Sequence, residues 1–129
     1  MTSGLAPVPP HGLDTAEEHV ARDVPRGGPS DRAGDVRRAL AGRRFTTAAA
    51  VAVLDGDRLC GLVTIETLLS ADEATTLDEL MDAEPAVVRA GVDQEHAVLH
   101  LVRSGGVSLA VVDESGAFLG LIPPERMLA

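Results

Sequence analysis

The sequence predicts an α/β module made of two tandem copies of one strand-helix-strand-strand-helix unit, arranged as a pseudo-twofold pair. Three observations carry that expectation. Val51-Ala52-Val53-Leu54-Asp55 recurs as Leu109-Ala110-Val111-Val112-Asp113 at an offset of 58 residues, the signature of an internal duplication. Hydrophobic residues make up 45% of the 129-residue chain, enough for one core of ordinary size. That core is aliphatic, because the chain has no Trp or Tyr and only Phe45 and Phe118 as aromatics. Val, Leu, Ile and Ala suit sheets covered by helices.

Residues 1–13, with Pro7, Pro9 and Pro10, read as a disordered tail. The first repeat is placed at 14–74 and the second at 75–129. Asp14 to Glu17 resembles a capping box and predicts a helix from about Thr15 to Asp23, broken by Pro25-Arg26-Gly27-Gly28-Pro29. The leading strand of the first repeat, around Gly27 to Asp31, lacks strand-forming residues and is expected to be degenerate; its counterpart is Ala86-Val87-Val88-Arg89. Asp35 to Leu40 predicts a helix matching Asp93 to Val98, where Ala97, Val98, Leu101 and Val102 are assigned inward. Each apolar strand then meets a turn, Asp55-Gly56 in the first copy, where Gly takes positive φ cheaply. The returning strands are Leu59-Cys60-Gly61-Leu62-Val63 and Phe118-Leu119-Gly120-Leu121-Ile122. Thr64 is positioned to cap a helix running to about Ser70, and Thr76-Leu77-Asp78-Glu79 forms a second capping box. The helix opening near Pro124 is expected to continue past Ala129, leaving Met127 and Leu128 uncovered, so the sequence reads as a piece of a longer protein.

Charge narrows the function classes. The chain has 11 Arg, no Lys and 20 acids, net −9. Residues 1–44 carry seven Arg against six acids, and residues 45–129 four Arg against fourteen. That acidic stretch argues against nucleic acid as a partner and for cations. Arg37-Arg38 and Arg43-Arg44 are the basic clusters, assigned to helix surface. Cys60, the single cysteine, excludes an internal disulfide and fits a reducing compartment; its apolar flanks assign it to the core. No apolar run reaches the ~18 residues of a membrane span, so the module is expected to be soluble and cytoplasmic. No nucleophile–base pair, glycine-rich phosphate loop or zinc spacing appears, and the chain is expected not to be an enzyme.

The repeated pattern "apolar strand ending in Asp, turn, Gly-h-h-(Ser/Thr)-x-x-acid, helix", carried by residues 51–55 with 61–67 and by 109–113 with 120–122, resembles a tandem CBS domain pair (a Bateman module). Leu69-Ser70-Ala71-Asp72, Leu80-Met81-Asp82 and Asp93-Gln94-Glu95 are most similar to the cytosolic CBS region of MgtE-type magnesium transporters. The resemblance implies a homodimeric regulatory module, linked to a membrane transport domain, that senses Mg2+, ATP or AMP.

In that family the hydroxyl and the acid of the motif grip the phosphate and ribose of an adenine nucleotide. The resemblance carries this over to Gly61, Thr64 and Thr67, with departures: Thr67 stands where the acid belongs, and Glu66, one residue earlier, is expected to point elsewhere. In the second repeat Pro123 and Arg126 replace both grips. Binding is therefore expected to be weak. A metal site is not assigned to particular residues. His96 and His100, at i and i+4, lack a third ligand nearby and are expected to be one exposed and one partly buried imidazole. Asp72, Glu73, Asp78, Glu79, Asp82 and Glu84 form an acidic segment between the copies suited to hydrated Mg2+. Two other readings compete: a free-standing nucleotide-binding CBS protein acting on a separate partner, and a dimerisation module without ligand.

Overall fold

The computed structural model describes residues 15–103, 105, 108–124 and 126. Along the chain the elements are α1 (Ala16–His19), β1 (Arg26–Gly27), α2 (Ala33–Leu40), β2 (Ala50–Asp55), β3 (Arg58–Thr64), α3 (Ile65–Ser70), α4 (Leu77–Leu80), β4 (Val87–Arg89), α5 (Gln94–Arg103), β5 (Leu109–Val112) and β6 (Phe118–Ile122). They make two three-stranded sheets with the same topology, β1-β2-β3 and β4-β5-β6. In each, the leading strand is parallel to the middle one, and the middle and last strands form an antiparallel hairpin. The duplication extends to an irregularity of register, between Val53 and Leu54 and again between Val111 and Val112.

Residue size explains how the sheets stack. Successive side chains on a strand point to opposite faces. Val51 and Val53 face the helix-covered core of the first repeat with Val36, Val63, Leu68 and Leu77. Leu109 and Val111 do the same in the second with Leu101 and Ile122. The opposite faces carry Ala50, Ala52 and Ala110, which meet Leu62, Phe118 and Leu121 in a third cluster where the sheets abut. Alanine on these faces lets the two backbones approach. Phe118 N–H donates to the Asp57 carbonyl at 2.8 Å across the seam, and the Arg26 guanidinium lies 4.9 Å from the Phe118 ring centroid.

Segments before each repeat cross over. Ala16 is buried in the core of the second sheet, while Leu77 is buried in that of the first. The same exchange holds at the hairpins: Ala21 bridges to Leu121 on β6, and Asp82 bridges to Leu62 on β3. Both bridges need a glycine beside them. A Cβ at Gly61 would sit 2.5 Å from the Asp82 carbonyl oxygen, and one at Gly120 would collide with the Ala21 carbonyl oxygen. The division of the sequence at residues 74 and 75 is thus not a division between the two cores.

Several expectations change. The first helix ends at His19, not near Asp23, because Ala21 turns to extended backbone and exchanges hydrogen bonds with Leu121 (2.7 and 3.0 Å). A leading strand exists in the first repeat, two residues long, with the Pro25 carbonyl accepting from Ala52 N–H at 2.9 Å. Val102 is exposed (65%), not inward. On a helix it lies some 140° from Ala97 at about 100° per residue, outside the stripe that Ala97 and Leu101 define. Cys60 is half-buried at the edge of the first core. Arg37 is more than a surface residue: its guanidinium donates to the Leu68 and Ala71 carbonyls (2.7 and 2.9 Å) and closes the end of α3. The tail at 1–13, Met127 and Leu128 lie outside the described residues.

Candidate functional site

Where the alanine faces of the two sheets part, a cleft of about 360 Å3 opens. The first repeat contributes Ala49, Ala50, Leu62, Thr64 and Glu66 to its wall. The segment between the copies supplies Asp82, Glu84 and Pro85, and the second repeat Ala86, Ser108 and Pro124. Every side of it therefore depends on both copies being in place.

Thr64 occupies the position expected of it, at the N-cap of α3. Its hydroxyl is committed locally: the oxygen accepts from Thr67 N–H at 3.3 Å and the O–H donates to Thr67 Oγ1 at 2.9 Å. Thr67 caps inward on its partner and does not line the cleft, and neither does Gly61, whose missing side chain admits Met81 and Asp82. Glu66 corrects the expectation for it: it lies on the cleft wall beside Thr64, because it follows the N-cap by two residues and the first turn faces the opening. In the second repeat Arg126 turns away, its guanidinium donating to the His19 carbonyl at 3.1 Å and the Val20 carbonyl at 3.5 Å.

The acidic segment separates into different roles. Glu73 pairs with Arg38 (3.3 Å), Glu79 accepts from Thr76 N–H (3.2 Å), and the Asp78 carboxylate meets the Thr76 hydroxyl. Only Asp82 and Glu84 reach the cleft, joined there by Glu66. His96 and His100 are both exposed, not one of each, and His96 Nδ1 lies 3.1 Å from Asp93. The His96 backbone N–H, and then its imidazole, hold the Asp93 carboxyl below the usual range. Among the described residues no group of three or more His, Cys, Asp or Glu side chains is placed to hold a metal ion. No helix of the described residues is long and apolar enough to cross a membrane.

Sequence reasoning passed over Ser108. It is 5% exposed and belongs to the cleft lining, and its hydroxyl oxygen is buried without a hydrogen-bond partner among the described residues. Its one signal was position: a polar residue directly before the apolar strand β5. The residues present do not fit the phosphate of an adenine nucleotide well. The hydroxyl of the motif is engaged, the acid for the ribose is a threonine, and the described lining residues include three carboxylates and no basic side chain.

Fold and cleft together define a class. Residues 77–129 match the family model of the CBS domain, and the described chain has the fold of a tandem CBS-domain pair. Within that class it is similar to the cytosolic domain of the Mg2+ channel MgtE in complex with ATP, at 26% identity and a TM-score of 0.84, covering 92% of this chain and 49% of that one. It is also similar to the soluble part of a magnesium transporter (17% identity, TM-score 0.83, 92% and 47% covered). The CBS-pair protein CBSX2 of Arabidopsis thaliana, in complex with AMP, shares 22% identity at a TM-score of 0.72, with 89% and 93% covered. The chain spans about half the length of the two magnesium-transport structures. No curated protein sequence matches it.

Proposed function

We propose that this chain is the cytosolic ligand-sensing module of a magnesium transporter of the MgtE kind. It acts as a homodimer joined to a membrane transport domain and responds chiefly to Mg2+, with at most weak adenine-nucleotide binding. The observation that carries the reading is a likeness to the MgtE cytosolic domain that extends over 92% of the chain, in a chain whose excess of carboxylates attracts cations. The CBS-pair protein CBSX2 shares the fold, but at a lower TM-score.

The physical basis is charge. With net −9 per chain, a dimer repels itself, and a bound cation relieves that repulsion and shifts the population toward a tighter state. Simple screening has the same sign. The test is therefore the melting temperature in millimolar MgCl2 against NaCl of matched ionic strength. Mg2+ is expected to stabilise more, by RT ln(1 + [Mg2+]/Kd), about 1 kcal/mol at a few times Kd. Equal stabilisation by matched NaCl would remove Mg2+ as the sensed ligand. Calorimetry with AMP and ATP is expected to show no more than one weak site per chain; two tight sites would contradict the reading. Light scattering at high micromolar concentration is expected to give a dimer, and a monomer there would remove the dimeric mechanism.

A further inference from the structure

Arg43 and Arg44 stand outside the pairings that hold other arginines of this chain. Arg22 and Arg38 meet carboxylates, and Arg37 and Arg126 donate to main-chain carbonyls. Arg43 and Arg44 are both exposed, and among the described residues neither forms an ion pair. They lie beyond the end of α2, in the stretch 41–49 that leads to β2. Gly42, at φ +81°, ends the helix, and residues 43–45 follow without helix, strand or turn. The Arg43 guanidinium rests 4.9 Å from the Phe45 ring centroid, a weak contact at an exposed site.

Two threonines come next, and the fold treats them differently. Thr47 is 8% exposed, and its hydroxyl oxygen accepts from Ala49 N–H at 3.3 Å. Thr46 is exposed, and its hydroxyl makes no hydrogen bond among the described residues. Its main-chain N–H donates to the Asp23 carbonyl at 3.0 Å. A free hydroxyl on a loop, two and three residues after uncommitted guanidinium groups, fits the cleft of a basic-directed protein kinase. Carboxylates of such a cleft pair with the arginines and align the hydroxyl with ATP.

We propose that Thr46 is a phosphorylation site for a kinase of this class, with Arg43 and Arg44 as its recognition residues. The Thr46 oxygen attacks the γ-phosphorus of ATP, the bond to the β,γ-bridging oxygen breaks, and ADP leaves. The hydroxyl proton passes to the kinase's catalytic aspartate. To be presented, Thr46 gives up its bond to Asp23, and Arg43 its contact with Phe45. The product carries a charge of about −2 beside two arginines able to pair with it. Ala49 and Ala50, a few residues on, line the cleft. The added charge therefore falls next to the wall of the candidate site, whichever ligand that site takes.

The test incubates the 129-residue chain with MgATP and the catalytic subunit of cyclic-AMP-dependent protein kinase, which selects arginine at these two places. Intact mass and tandem mass spectrometry follow the reaction. One phosphoryl group per chain is expected, on Thr46, with Thr46→Ser still modified and Thr46→Ala unmodified. Arg43→Gln combined with Arg44→Gln is expected to slow transfer at least tenfold. The melting temperature is expected to stay as it was, since both side chains are exposed. No transfer to the wild-type chain, transfer to Thr47 or elsewhere with Thr46 unmodified, or a rate indifferent to the double variant would each overturn the proposal. Sedimentation with phosphatidylserine vesicles is the comparison arm. Vesicle binding that needs both arginines, without transfer to Thr46, would overturn the proposal and assign the pair to an anionic membrane surface.

Discussion

Gly61 and Gly120 hold equivalent places in the two repeats, and each faces a backbone carbonyl of a segment from outside its own hairpin. A backbone oxygen cannot swing aside as a side chain can, so Gly61→Ala and Gly120→Ala are each expected to cost about 1–3 kcal/mol in urea unfolding. Gly91→Ala, where a Cβ meets nothing within 4 Å, is the control and is expected to be near neutral. Thr64→Ala removes the oxygen that accepts from Thr67 N–H and is expected to cost about 1 kcal/mol, with Thr64→Ser restoring most of it. Asp113 gives a pH dependence. Its carboxylate accepts from the Ser115 hydroxyl (2.6 Å), from Ser115 N–H (2.8 Å) and from Ala117 N–H (3.0 Å), and these bonds, the Ser115 hydroxyl first, hold its carboxyl below the usual range. A carboxyl lowered on folding stabilises the fold above its unfolded value and loses that contribution as pH falls through its folded value. Melting temperature is thus expected to fall as the pH drops below about 4, and to fall less steeply in Asp113→Asn.

At the scale of the element, α5 shows how far a helix pattern can be read. Leu101 is buried against Val88 and Leu109, while Val102 and Leu99 are exposed. Leu101→Ala is expected to cost about 2–5 kcal/mol in chemical denaturation. Val102→Thr is expected to change stability by no more than about 0.5 kcal/mol. A large loss from Val102→Thr would mean that this face is covered in solution, as a dimer would cover it. Helices α3 and α4, six and four residues long, are too short to persist on propensity alone. They are held by Leu68 and Leu77 in the core and by the Arg37 bonds at the end of α3.

For the whole molecule, the exchange of segments makes neither repeat complete without the other. The segment that contains Ala16 and Ala21 finishes the second sheet, and the one that contains Leu77 and Asp82 finishes the first. Arg126 reinforces the first exchange by tying the far end of the chain to the His19 and Val20 carbonyls. Ala21→Pro deletes the N–H that donates to Leu121 at 2.7 Å. It is expected to cost about 1–3 kcal/mol. Hydrogen exchange is expected to rise at β6 before it rises at β2 and β3. Uniform acceleration across both hairpins would instead show that the two sheets open as one cooperative unit.

The duplication, the hairpins and the caps at Thr64 and Thr76 were legible in the sequence because each is local: a turn, a cap or an alternating strand needs only its neighbours in the chain. The lengths of α1 and β1 were not, since Ala21 and Pro25 are placed by hydrogen bonds to Leu121 and Ala52, far away in sequence. The site divides the same way. The motif pointed to Thr64, and the structure places it on the cleft. Gly61 and Thr67 came with the same motif, but the fold turns them to packing and capping. Glu66, Asp82, Glu84 and Ser108 come together only when the two repeats close on each other. No spacing along the chain encodes that closure, which depends on alanine faces thin enough for the sheets to meet at one end and part at the other. Pattern determined the kind of protein this is, and the packing of one repeat against the other decided what its cleft offers a ligand.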